Sequence, residues 1–189
     1  MSHVQSSIDA LLKTIESLRP LEGQITQAAD LVRKCLLGGG KLMAAGNGGS
    51  AADVSDFTTE FVCRFVGNRP AFPALNLTPD GSLLTATAND LGFEEIFARQ
   101  VAAFGRPGDV LIVVSTSGNS ANIIRALEEA RRLGIDSIAQ LGKDGGKAKG
   151  LATIDLIVPV QTTARIQEAH KFIFHVICEL VEPSLQDKP

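Results

Sequence analysis

The sequence predicts an α/β fold, a doubly wound parallel sheet flanked by helices, in one domain of 189 residues. Three observations carry that expectation. Short apolar runs of strand length alternate with segments of helical periodicity. Three loops rich in glycine and serine, at 46–50, 115–120 and 142–146, each follow such a run, which is where ligands sit in open parallel sheets. The chain also begins with two helical patterns and ends with a long apolar one, more helix than the crossovers of a parallel sheet require.

Val4, Ile8, Leu11, Leu12, Ile15 and Leu18 keep helical spacing up to Pro20, and Ile25, Ala28, Ala29, Leu31, Val32, Cys35 and Leu36 repeat it up to Gly38-Gly39-Gly40. With no strand before them these helices have no crossover role. They are expected to pack outside the sheet, at a subunit interface, so that 1–37 forms an interface segment and 38–189 an α/β core. Lys41 to Ala45 reads as a buried strand, and Gly46 to Ser50 as its exit, with Ser50 placed to cap the next helix. The glycine spacing matches neither the dinucleotide fingerprint nor a P-loop.

The helix expected over 51–65 carries Val54, Phe57, Phe61 and Val62 inward, with Asp53, Asp56 and Glu60 as exceptions. Asp56 and Glu60, at i and i+4, share a face: either a solvated acidic face near a helix start or two carboxylates aimed into one cleft. Arg69-Pro70 and Pro73 lead into a strand at 74–77, and Thr78-Pro79-Asp80-Gly81 is a turn. A short helix over 82–88 ends at Asn89-Asp90, and a further helix covers 94–104. Val110 to Val114 is the central strand.

The stretch Ser115-Thr116-Ser117-Gly118-Asn119-Ser120 brings four hydroxyls to a strand-to-helix turn, where free N–H groups and the helix dipole favour an anion. A plain turn with Ser120 as N-cap needs only one hydroxyl, so four point to a phosphate seat. Helix over 121–133, Gly134 as C-cap, strands at 137–141 and 154–158, and a helix over 165–185 complete the chain. That last helix is apolar on several sides, as at a subunit interface. Gln167, Lys171 and His175 line one of its faces, whereas His170 points away. His175 reads equally as a core histidine or as a partner of Glu60.

The net charge of −3 gives no basic field for nucleic acid or an anionic membrane. Cys35, Cys63 and Cys178 lack metal-motif spacing and read as reduced core residues. No basic-then-apolar leader opens the chain, and no run nears the roughly 18 apolar residues of a membrane span. A cytoplasmic protein is expected.

Gly46-Asn47-Gly48-Gly49-Ser50-Ala51-Ala52-Asp53, Asn89-Asp90-Leu91-Gly92-Phe93, Ser115 to Ser120 and Ala164-Arg165-Ile166-Gln167-Glu168-Ala169-His170 resemble, in order, the phosphoheptose isomerase branch of the sugar isomerase (SIS) domain family. The resemblance runs nearly end to end. It implies a homotetramer with a helical-bundle core that converts sedoheptulose 7-phosphate to D-glycero-D-manno-heptose 7-phosphate, the first step towards the heptose of lipopolysaccharide and related surface glycans. It implies Glu60 and His175 as the catalytic pair. Asn47, Gly48, Gly49, Ser50, Glu60, Asn89, Asp90, Ser115, Thr116, Ser117, Ser120 and Gln167 become the substrate-binding set.

It further implies one zinc ion per subunit on Glu60, Gln167, His175 and a histidine one turn before the glutamate, a position that is Asp56 here. Aspartate ligates zinc through oxygen. Family members without the catalytic pair serve instead as phosphosugar-binding or replication-initiator-binding regulators. The presence of both Glu60 and His175 favours an enzyme.

Overall fold

The computed structural model describes residues 2–186; Met1 and 187–189, the ends of the expected domain, lie outside the described residues. Five parallel strands, β1 (Leu42–Gly46), β2 (Ala74–Asn76), β3 (Val110–Ser115), β4 (Asp136–Gly142) and β5 (Ile154–Val158), form one sheet in the order β2-β1-β3-β4-β5. β1 and β3 are neighbours through Leu42↔Val110 to Gly46↔Val114, yet the chain leaves β1 outward to β2 and returns across it to β3. The strand order therefore reverses between β1 and β3, which opens a crevice at their carboxyl ends.

Among the described residues seven α-helices surround the sheet: α1 (His3–Glu16), α2 (Glu22–Leu37), α3 (Gly49–Val62), α4 (Gly81–Leu91), α5 (Ala98–Phe104), α6 (Ala121–Arg132) and α7 (Thr163–Gln186). Alternate strand residues serve two cores, which is why the central strands read as unbroken apolar runs. Leu42, Ala44, Val110, Ile112 and Val114 face α2, α3 and α7. Met43, Ala45, Leu111 and Val113 face the other way, onto α5 and α6 through Phe97, Val101, Ile123 and Leu127.

Several boundaries differ from the sequence expectation. α3 stops at Val62, because the backbone turns out of helix at Cys63, which is exposed and not a core residue. Asn89 and Asp90 lie inside α4, whose terminator is Gly92 at φ 101°. The helix expected over 94–104 divides into a 3₁₀ turn, Phe93–Glu95, and α5. Between β4 and β5 the connection is helical only over a further 3₁₀ turn, Gly146–Ala148.

The leading helices also part company. α2 buries Ala28, Val32, Cys35 and Leu36 in the chain's own core against α7, whereas α1 turns Val4, Ile8 and Leu12 outward. No helix among the described residues is long and apolar enough to cross a membrane.

Candidate active site

Two loops meet at the β1/β3 crevice. The first leaves β1 through Asn47 and Gly48, whose φ of 56° and ψ of −122° suit only glycine. Gly48, not Ser50, holds the N-cap position of α3; Ser50 lies buried in the first turn. The second leaves β3 through Ser115 to Ser120. Ser120 holds the N-cap position of α6, but its hydroxyl makes no capping bond and stands 3.3 Å from the Ser115 hydroxyl. Neither α3 nor α6 thus has a side-chain cap; the Ser50 and Ala51 N–H groups bond the Asn47 and Gly48 carbonyls and the Ile123 N–H bonds the Ser120 carbonyl, which leaves the very first N–H groups of each helix for an anion.

Not all four hydroxyls are spare. Ser115 Oγ accepts from the Gly118 N–H at 3.1 Å, and Ser117 Oγ accepts from the Asn119 N–H at 3.1 Å. The loop is braced from behind by the exit of β4. Gly118, at φ 63°, lies so near Gly145 that any β-carbon would strike its carbonyl. Ala148 N–H bonds the Gly118 carbonyl at 2.9 Å, and Lys147 N–H bonds Asn119 Oδ1 at 3.1 Å.

The catalytic candidates come from α3 and α7, which run side by side in the same direction. Gly49 abuts the Gln167 amide, closely enough that a β-carbon there would collide with it. Lys171 donates to Asp56 and stands 3.7 Å from Asp53. Phe57 stacks on Phe174 at 4.2 Å between centroids. Burial pushes the Cys178 thiol on α7 up to about 12, and the charge of Glu60 on α3 adds to the shift. Glu182 accepts from the Phe65 and Val66 N–H groups at 3.2 and 3.1 Å. Glu60 and His175 are both half-buried on these facing helices, and the His175 ring lies 5.9 Å from Phe65.

Gly49, Ala52, Asp53, Gln167, Glu168 and Lys171 line a cavity of about 510 Å³ beside the glycine loop. Burial raises the Asp53 carboxyl above its usual range, with Lys171 opposing the shift. The Asp56 hydrogen bond is the main cause that raises the Lys171 ammonium. Asn89 and Asp90 stand exposed on α4; Asn89 donates to Asp90 at 2.7 Å, and no hydrogen bond joins either to the two loops.

The expected zinc ligands do not fit a metal. Asp56, the stand-in for a histidine, is taken by an ammonium group. Among the described residues no group of three or more His, Cys, Asp and Glu could hold a metal ion, so Asp56, Glu60 and His175 do not converge as one.

Sequence reasoning missed Asn122 and Glu182. Asn122, buried at 1% exposure, exchanges two amide hydrogen bonds with Asn47. Both were signalled by a polar residue on an apolar stripe: Asn122 lies one turn before Ala126 and two before Ala130, and Glu182 one turn after Cys178.

Comparison with known proteins agrees with this geometry. The SIS domain family matches residues 5–142. A phosphoheptose isomerase from Shewanella sp. (strain ANA-3) is 41% identical over 98% of this chain and 96% of its own length. The structure of the phosphoheptose isomerase from Neisseria gonorrhoeae superposes with a TM-score of 0.88 at 40% identity, covering 95% of this chain and 97% of that one. That from Francisella tularensis gives 0.87 at 40% identity, over 96% and 95%. The chain belongs to the SIS domain family and, within it, to the phosphoheptose isomerases.

Proposed function

We propose that this chain interconverts sedoheptulose 7-phosphate and D-glycero-D-manno-heptose 7-phosphate, as an aldose–ketose isomerase that opens the route to bacterial surface heptose. The observation that carries the reading is the meeting of two uncapped helix starts, α3 and α6, at the switch point of the sheet, with α7 alongside. A phosphate bound there by Ser115, Thr116, Ser117 and Ser120 anchors the far end of the sugar. That remote binding energy positions the reacting carbons. Asn47, Gly48, Gly49, Ser50 and Gln167 surround the sugar, and Asn89 and Asp90 complete the set.

The chemistry moves one proton between carbons and one between oxygens. In this assignment the Glu60 carboxylate takes a proton from C1 of the ketose, the electron pair forms the C1–C2 double bond of an enediol, and the Glu60 carboxyl, after exchanging its proton with solvent, delivers one to C2. His175 carries a proton from the C1 oxygen to the C2 oxygen, a role suited to imidazole near neutral pH. No net proton is gained or lost. No step is drawn through zinc, since the donor set does not fit it.

Four copies of the chain are proposed to assemble through α1 and α7, in the cytoplasm. The support is the outward stripe of Val4, Ile8 and Leu12, together with a groove of about 410 Å³ between α1, α2 and α7 bordered by the exposed Phe172 and Leu180. Light scattering on the purified chain tests the assembly.

The activity is tested by incubating the chain with sedoheptulose 7-phosphate in deuterated water and following isomer yield and label at C1 and C2. Product with solvent label at C2 supports the enediol route. Tight phosphosugar binding with no exchange would assign the chain to the non-catalytic regulators instead.

A further inference from the structure

Along the α3–α7 pair, the rung at which the family resemblance expects a metal ligand carries a lysine salt bridge. We propose that the Lys171 ammonium, held between Asp53 and Asp56, is a built-in cation that takes the place of a resident zinc ion, so that the isomerase centre of this chain works without metal. The inference rests on the isomerase reading above.

Three observations support it. Asp56, at the position where the resemblance places a zinc-binding histidine, accepts a hydrogen bond from Lys171, so its carboxylate is already committed to a cation. Asp53, one turn of α3 earlier, lies 3.7 Å from the same ammonium and shields it from the other side. A divalent ion entering here would meet a fixed positive charge, and it would have to expel Lys171 to reach either carboxylate. The remaining donors are one carboxylate, Glu60, one amide, Gln167, and one imidazole, His175, beside the Phe65 ring, and among the described residues Asp56, Glu60 and His175 form no group that could hold a metal ion.

Placement supports a positive role for the lysine as well. Lys171 lies on the same face of α7 as Gln167, one turn before His175, and lines the cavity beside Gly49. A third of its side chain is exposed, so the ammonium faces this cavity and is not sealed in the core. Oxyanion character that develops on the sugar as the enediol forms would be met by this charge. Lys171 acts as a positioning and electrostatic residue. The proton transfers remain with Glu60 and His175.

The test uses the full chain, purified and dialysed against a strong chelator, with zinc content read by mass spectrometry. The expected result is no stoichiometric zinc and unchanged turnover of sedoheptulose 7-phosphate. Lys171→Met should lower turnover by about 10²-fold, the loss typical of one electrostatic contact to a developing charge, with no rescue by added zinc. Lys171→Arg, which keeps the charge, should retain most of the activity. The double variant Asp56→His with Lys171→Ile should bind one zinc per chain in competition with a chromophoric chelator, where the wild type binds none.

One zinc per wild-type chain whose removal abolishes turnover would overturn the proposal, as would a double variant that binds zinc no better than wild type. If the wild type turns over no phosphosugar at all, the isomerase reading falls. The zinc affinities of the wild type and the double variant then still decide whether Lys171 excludes the metal.

Discussion

Asn47 and Asn122 exchange reciprocal amide hydrogen bonds of 2.9 and 2.8 Å, tying the loop that leaves β1 to the first turn of α6. The two halves of the crevice are thereby fixed to one another by a pair that never involves the sheet.

Asn122→Ala should therefore act on both stability and binding. It leaves the Asn47 amide without its partner, at a cost of about 1–3 kcal/mol. The phosphosugar KM should rise by about tenfold as the loops lose their mutual register, equivalent to about 1.4 kcal/mol of binding. Thermal unfolding and steady-state kinetics on the same preparation check both effects; a variant with lower stability and unaltered KM would show that the bridge serves the fold alone.

Glu60→Gln keeps shape and removes the basic carboxylate. Turnover should drop by at least about 10²-fold, the contribution of a positioned base, while calorimetry still detects phosphosugar binding. His175→Gln should lower turnover without the large loss of stability that replacing a packed core residue brings. Deuterium exchange at wild-type rate in both variants would remove these two residues from the proton path.

Arg69 holds the end of α3. Its guanidinium donates to the Glu60 and Phe61 carbonyls and lies 3.6 Å from Glu182, with side-chain exposures of only 1% and 9% for the pair. Arg69→Met strands a buried carboxylate and should destabilise the chain by about 3–5 kcal/mol in urea unfolding. Adding Glu182→Gln should recover part of that loss, since the stranded charge is gone. A destabilisation that the second change does not reduce would argue against the ion pair as its source.

His170, fully buried on α7, is pushed down to about 4 by burial, with the Leu141 backbone opposing the shift. A histidine buried in its neutral form takes up its proton more readily when unfolded, so its contribution is present above the ordinary value of 6.5 and is lost as pH falls from there towards about 4. Replacing it with leucine should flatten the pH dependence of the unfolding midpoint across that window. An unchanged slope would place the acid sensitivity elsewhere.

What the sequence revealed and what it hid follow from the range of the interactions. Val110 to Val114 was legible because both its faces are covered, and 154–158 because a proline and a turn bound it. The sequence pattern ends α4 early because Asn89-Asp90 resembles a turn, whereas the actual stop is a glycine two residues later at positive φ. The sequence pattern overextends α3 because Phe65 keeps helical spacing after the helix has ended; its backbone N–H turns to Glu182. The two glycine- and serine-rich exits were visible as motifs. Their partners were not, since Asn122 bridges to Asn47 and Lys171 to Asp56 over separations that no local pattern encodes.

The parallel register of α3 on α7 also governs how such a site changes by descent. The Phe57–Phe174 stack lies next to the Asp56–Lys171 rung and keeps the helices in step while that rung is exchanged. A histidine at 56 opposite an unchanged Lys171 would face a cation, and loss of Lys171 alone would leave Asp53 and Asp56 repelling one another. Neither half-step is neutral, so the two positions are bound to vary together. Homologous chains should carry either an aspartate with a lysine or a histidine with an uncharged residue, with the mixed combinations rare.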